Sequence, residues 1–109
     1  MSRPKQVVVI LSTVPPDGST AIARALLDHR LVACVNVVPV RSLYRWKGEF
    51  CDEEEHLLIA KTTQDTVETV IQEIKGMHPY EVPEIIVLPL IAGYMPYLEW
   101  VRQETGPGA

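Results

Sequence analysis

Cysteine is nearly absent. Cys34 and Cys51 are the only two in 109 residues, too few for a disulfide framework, and neither stands in a CxxC or Cys/His spacing that would hold zinc. Gly18, Gly48, Gly76 and Gly93 are isolated, so no glycine-rich loop cradles a phosphate. No apolar run approaches the ~20 residues of a membrane span. The N-terminal run over residues 7–11 breaks at Ser12 and Thr13, too soon for a signal peptide. Ten basic residues against fourteen acidic give a net charge of −4, and they are scattered singly rather than drawn into a stripe that could follow a nucleic-acid backbone. GxSxG is missing, and no nucleophile sits beside an activating base. These absences predict a non-catalytic, soluble, cytoplasmic protein with neither nucleic acid nor membrane as partner.

What is present suits one globular domain spanning residues 1–109. The chain is 47% hydrophobic and 22% charged, with a mean hydropathy of +0.08, enough to bury a core. Residues 7–11 read as a first strand, closed by the turn cluster Pro15-Pro16-Asp17-Gly18. Ile22 with Leu26 and Ala23 with Leu27 predict a helix over residues 19–31. Residues 33–44 are strand-like, with Pro39 marking an edge or a bulge. Lys47-Gly48 predicts a hairpin tip, and a returning strand ends at residues 57–60. Asp65 and Glu68 approximate a capping box ahead of the helical stripe Val67, Val70, Ile71 and Ile74, with Gly76 and Pro79 as its stop. Residues 85–88 form a fourth strand, residues 97–104 a short last helix, and residues 106–109 a fraying end.

The resulting order is a ferredoxin-like, α+β split βαβ plan: a four-stranded antiparallel sheet with two helices on one face, plus a short C-terminal helix. Such a sheet should alternate apolar and polar residues, because its second face meets water. Residues 7–11, 57–60 and 85–88 do not alternate. The missing cover is expected from other copies of the chain, so a homo-oligomer is predicted. Tyr44, Trp46 and Trp100, with Tyr97, are its expected interface aromatics.

The segment His78-Pro79-Tyr80-Glu81-Val82-Pro83-Glu84 concentrates polar chemistry. Its two X-Pro steps alone account for a rigid stop and restart between helix and strand. Met77 and His78 are soft or borderline donors suited to Cu(I). The acidic run from Cys51 to His56 reads as a solvated shoulder, and Cys34 as an inert strand thiol.

Ala33-Cys34-Val35-Asn36, Ser42-Leu43-Tyr44-Arg45-Trp46-Lys47-Gly48, Lys61-Thr62, the HPYEVPE segment and Tyr97-Leu98-Glu99-Trp100, in this order over nearly the whole chain, closely resemble the CutA family of divalent-cation tolerance proteins. The resemblance implies a tight homotrimer like the nitrogen-regulatory P-II proteins, located in the cytoplasm and linked to tolerance of divalent metals, copper above all. In members with a proposed copper site, a cysteine ending strand one and two histidines opening the HPY motif are the ligands. The corresponding positions here are Ser12, Met77 and His78. A P-II-like alternative makes the protein a small-metabolite or anion sensor, with Lys61, Tyr80 and Glu84 in an inter-subunit cleft. A second alternative is an oligomeric protein-interaction scaffold.

Overall fold

The structure is a computed structural model that describes residues 5–106. Along the chain run β1 (Val7–Val14), α1 (Ser19–Asp28), β2 (Cys34–Trp46), β3 (Glu49–Thr63), α2 (Val67–Met77), β4 (Ile86–Pro89) and α3 (Met95–Glu104). The four strands form one antiparallel sheet in the order β2-β3-β1-β4. This is the split βαβ plan expected from the sequence.

One face of the sheet carries α1 and α2. Ile10 and Val14 of β1 and Leu58 and Ala60 of β3 point to that side, where Ile22, Leu26, Val70 and Ile74 of the helices close a dry cluster. The opposite face is only partly covered. α3 packs across β1 and β3, and Val101, Val7 and Thr63 are buried there. The rest of that face stays apolar and open: Val38, Ile86 and Leu88 are exposed, and Val9, Leu11 and Ile59 half-buried. The strands thus fail to alternate because both faces are built for burial, one by helices and one left largely bare.

Several element ends differ from the sequence expectation, each for a local reason. α1 stops at Asp28 rather than residue 31. Arg30 adopts φ 56, and the Leu31 and Arg30 N–H groups donate to the Leu26 and Leu27 carbonyls, a Schellman closure with arginine where glycine is usual. Gly76 does not end α2; the helix continues to Met77, and His78 turns extended (φ −82, ψ 133) ahead of Pro79, as a pre-proline residue prefers. Asp65 does not cap α2. It lies in a 3-10 turn, where its carboxylate accepts from Thr63 Oγ1 at 2.5 Å. α3 begins two residues early, at Met95, with Pro96 in its first turn. β4 is shifted one residue toward the C-terminus. Gly106, expected to fray, is held by its N–H donating to the Arg30 carbonyl at 2.9 Å; residues 107–109 of that predicted tail lie outside the described residues.

β2 and β3 pair continuously from Cys34↔Lys61 to Trp46↔Glu49. β1 accompanies β3 only as far as Val14↔His56. Residues 40–46 and 49–55 therefore form a two-stranded arm projecting past the sheet, and the molecule measures 44 × 27 × 24 Å. Its tip is the predicted Lys47-Gly48 turn, with φ 50 and 82, both positive as the favoured two-residue hairpin turn requires.

Ser12 lies on the helix-facing side of β1, 1% exposed, and its hydroxyl has no hydrogen-bond partner among the described residues. A buried hydroxyl without a partner is destabilising. Ser12→Ala is expected to raise stability by about 1 kcal/mol, read as a higher urea midpoint at equal chain concentration. A lowered midpoint would mean that the hydroxyl is satisfied in solution.

Candidate functional site

The loop from α2 to β4 crosses the open face of the sheet and braces the arm. His78 is buried at 8% exposure, with Nε2 2.8 Å from the Thr13 carbonyl. Its Nδ1 accepts the Tyr80 backbone N–H at 3.2 Å. The two contacts together select the neutral tautomer protonated on Nε2. The tilted Tyr80 ring lies against the imidazole, centroids 4.7 Å apart. From there the Tyr80 hydroxyl donates to Glu55 Oε2 at 3.0 Å. Glu81 pairs with Lys47 at the arm tip, 3.1 Å, and Glu84 Oε1 accepts from Thr13 Oγ1 at 3.4 Å.

Between loop and arm lies a cavity of about 670 Å³, walled by Tyr44, Trp46 and Glu53 on the arm and by Tyr80, Val82 and Glu84 on the loop. Glu55 is its most enclosed carboxylate, 3% exposed. Burial of the hydroxyl raises the Tyr80 pKa first, then its hydrogen bond to Glu55, then the negative charge of Glu55 and Glu53; together they push it up to about 12. Tyr44 is displaced upward as well, by desolvation first and then by Cys51, Glu53 and Glu55.

The residues singled out from the sequence do not all meet here. Tyr80 and Glu84 share the cavity, joined by Tyr44 and Trp46, which were read as interface aromatics. Lys61 stands elsewhere: it is six residues along β3 from Glu55, opposite Cys34, and its ammonium donates to the Asn36 side chain. Trp100 lies on α3 against Tyr97, centroids 5.7 Å apart. Cys34 is half-buried rather than enclosed and touches Tyr97, whose pKa is raised by burial and then by that thiol.

Sequence reasoning missed Glu53, Glu55 and Thr13. The acidic run taken for a solvated shoulder is divided by strand alternation. Cys51, Glu53 and Glu55 face the cavity, while Asp52, Glu54 and His56 face the other way, where Arg41 grips Asp52 through Nε and Nη2 at 2.9 and 2.7 Å. The Lys47-Gly48 turn fixes this register, pairing Tyr44 with Cys51, Ser42 with Glu53 and Val40 with Glu55.

The positions that correspond to copper ligands are not free donors in this arrangement. Both His78 ring nitrogens are already hydrogen-bonded. The Ser12 hydroxyl faces the apolar helix side of the sheet, and a hydroxyl is a poor copper donor beside a thiolate. Met77 is exposed at the end of α2. Among the described residues no group of three or more His, Cys, Asp or Glu side chains is placed to hold a metal ion, and no helix is long and apolar enough to cross a membrane.

The family model described as CutA1 divalent ion tolerance protein matches residues 7–104. The chain belongs to the CutA1 family. A Thermus thermophilus protein named divalent-cation tolerance protein CutA is 46% identical over 100 residues, 90% of this chain and 97% of that one. The solved structure of the Thermus CutA1 superposes with a TM-score of 0.88 at 45% identity, covering 93% of this chain and all of that one. A Nostoc structure described as a PII-like protein CutA has a TM-score of 0.87 at 40% identity and covers 91% of this chain and 97% of that one. Human protein CutA is 46% identical over 85 residues, 77% of this chain but only 48% of the human protein. The CutA1 fold, with its P-II-like architecture, is therefore that of this chain.

Tyr80 gives a pH signature. Above pH 10 the unfolded chain releases the tyrosine proton, while the folded chain keeps it until about 12. Its stabilising contribution is therefore complete below pH 10 and drains away as pH rises through that window. Tyr80→Phe is expected to flatten the alkaline loss of stability over this range and to delete the last tyrosinate absorbance step. An unchanged titration in the variant would show that the phenol is not held by Glu55.

Proposed function

We propose that the chain works as a cytoplasmic homotrimer that supports tolerance of divalent metals without catalysis, by capturing a ligand in a cleft to which the arm contributes. The bare apolar sheet face carries this reading. A soluble domain leaving Val38, Ile86 and Leu88 open beside Val9, Leu11 and Ile59 gains stability by covering them with another copy, each fully covered side chain contributing about 1.5–3 kcal/mol. Leu43 and Phe50, 55% and 67% exposed on the arm, extend the same demand, because an isolated hairpin is only marginally stable in water. Tyr44, Trp46 and Trp100 are the aromatic anchors proposed for that interface. Membership of a divalent-ion tolerance family supports the metal response.

Copper belongs to this proposal as a displaceable contact at Met77 and His78. Metal coordination there requires the imidazole to give up Thr13 or Tyr80, so affinity is low and coupled to the loop. A second reading, a P-II-like metabolite sensor, is favoured by the cavity of about 670 Å³, a size suited to an organic ligand. Lys61, outside the cavity, is left to an inter-subunit role in either reading.

Light scattering after size exclusion is expected to give three times the 12.2 kDa chain mass at low micromolar concentration; a stable monomer would sink the trimer. Calorimetric titration with Cu(I) is expected to give a weaker isotherm for His78→Ala than for the unaltered protein. Superimposable isotherms would remove His78 from any copper contact.

A further inference from the structure

The cavity has one electrical sign. Glu53, Glu55, Glu81 and Glu84 line it, and no lysine, arginine or histidine does among the described residues. Lys47 sits at the exposed tip of the arm and is paired with Glu81. Glu55 is the sharper observation. It is a carboxylate 3% exposed, on the cavity wall, with a phenol as its hydrogen-bond partner on one oxygen and no ion-pair partner among the described residues. A cation entering the pocket would find in Glu55 an enclosed carboxylate with no competing ion pair, where the interaction is screened little by water.

Aromatic rings decide which kind. Tyr44, Trp46 and Tyr80 contribute to the walls beside the carboxylates. The chain itself places an ammonium against one of them: Lys47 Nζ lies 5.5 Å from the Trp46 ring centroid, within cation–π range. Alternate positions on a strand are about 7 Å apart, so Glu53 and Glu55 set two carboxylates along one wall, and no cluster of three metal-ligating side chains exists here among the described residues. That separation suits two ammonium groups joined by a short methylene chain. The apolar parts of Val82 and Trp46 would pack against the methylenes. A cavity of about 670 Å³ is far larger than a dehydrated metal ion needs and is within the range of organic-ligand sites.

We propose that this cavity binds an aliphatic di- or polyammonium ion, with Glu55 and Glu53 holding the nitrogens and Trp46, Tyr44 and Tyr80 enclosing them. The inference rests on reading the cavity as the ligand site. It reverses the polarity of an anion sensor. All of the walls described belong to one chain, but Tyr44 and Trp46 are also proposed interface aromatics, so each titration is paired with the oligomer mass of the same sample, which separates a failure of the trimer from a failure of the amine site.

The test is a calorimetric titration of the intact protein with spermidine, at low and at physiological salt, with Mg²⁺ as the control for bare charge. One spermidine per chain is expected. Glu55→Gln, which keeps the shape and still accepts from Tyr80, is expected to weaken binding at least about tenfold, the size of a lost charge-assisted contact. Trp46→Phe and Glu53→Gln, at exposed positions that leave the core untouched, should each weaken it by a smaller factor. Mg²⁺ at equal concentration should not displace the amine. Equal spermidine isotherms for the unaltered protein and Glu55→Gln would overturn the proposal. So would full displacement by equimolar Mg²⁺, or no binding at millimolar spermidine. If spermidine fails and Glu55→Gln also breaks the assembly into monomers, the counter-charge is a basic side chain of a second copy and the site is an interface.

Discussion

The β2–β3 hairpin outruns the sheet that should support it, and the site exists because of how its far half is held. β1 leaves β3 at Val14↔His56, after which residues 40–46 and 49–55 have only each other. A free ribbon of that kind is marginal in water. The α2–β4 loop supplies the brace inside the chain: His78 clamps to the Thr13 carbonyl, Tyr80 to Glu55, and Glu81 to Lys47. Pre-proline restriction at His78 and Val82 stiffens the brace before it makes any contact, so less conformational entropy opposes the three bonds. The cavity is the space this brace leaves against the arm.

The same economy explains the strands. A chain of this length has too little helix to bury both faces of a four-stranded sheet, yet its strands are apolar on both. α3 resolves the conflict at one end of the open face, where Val7, Thr63 and Val101 are buried. At the other end the conflict stands, and with it the physical drive to self-association. Fold and assembly are thus two answers to one hydrophobic surplus.

Much of this was legible in residue order. β-branched runs, the Lys47-Gly48 turn and the spacing of Val67, Val70, Ile71 and Ile74 place each strand and helix, because local periodicity and turn chemistry agree with the final fold. Helix ends were misjudged where tertiary contacts override the usual residue. Arg30 takes the left-handed position that glycine normally marks, and Gly76, free to break α2, is carried through because Pro79 sets the end. The site was half legible. HPYEVPE was visible as a concentration of polar groups, but its partners lie 25 or more residues away, and only the hairpin register reveals that Glu53 and Glu55 come to it with Tyr44 and Trp46. Lys61 was grouped with Tyr80 and Glu84 in an inter-subunit cleft; within one chain it stands six residues along β3 from Glu55.

His78 shows how composition and geometry can disagree about a residue. By type it is a borderline metal donor; in place it is a structural bridge whose two nitrogens are both committed, one to a carbonyl and one to an N–H. Any ligand that recruits the imidazole must first release the Thr13 carbonyl or the Tyr80 backbone N–H. The carboxylate cavity and the imidazole thus meet at one residue, Tyr80, whose backbone N–H serves the imidazole and whose phenol serves Glu55. A cation at Glu55, as proposed above, would share that carboxylate with the phenol. On a fold shared with P-II-like proteins, the choice of ligand sign thus lies in a few strand positions rather than in the fold itself. Here those positions are acidic.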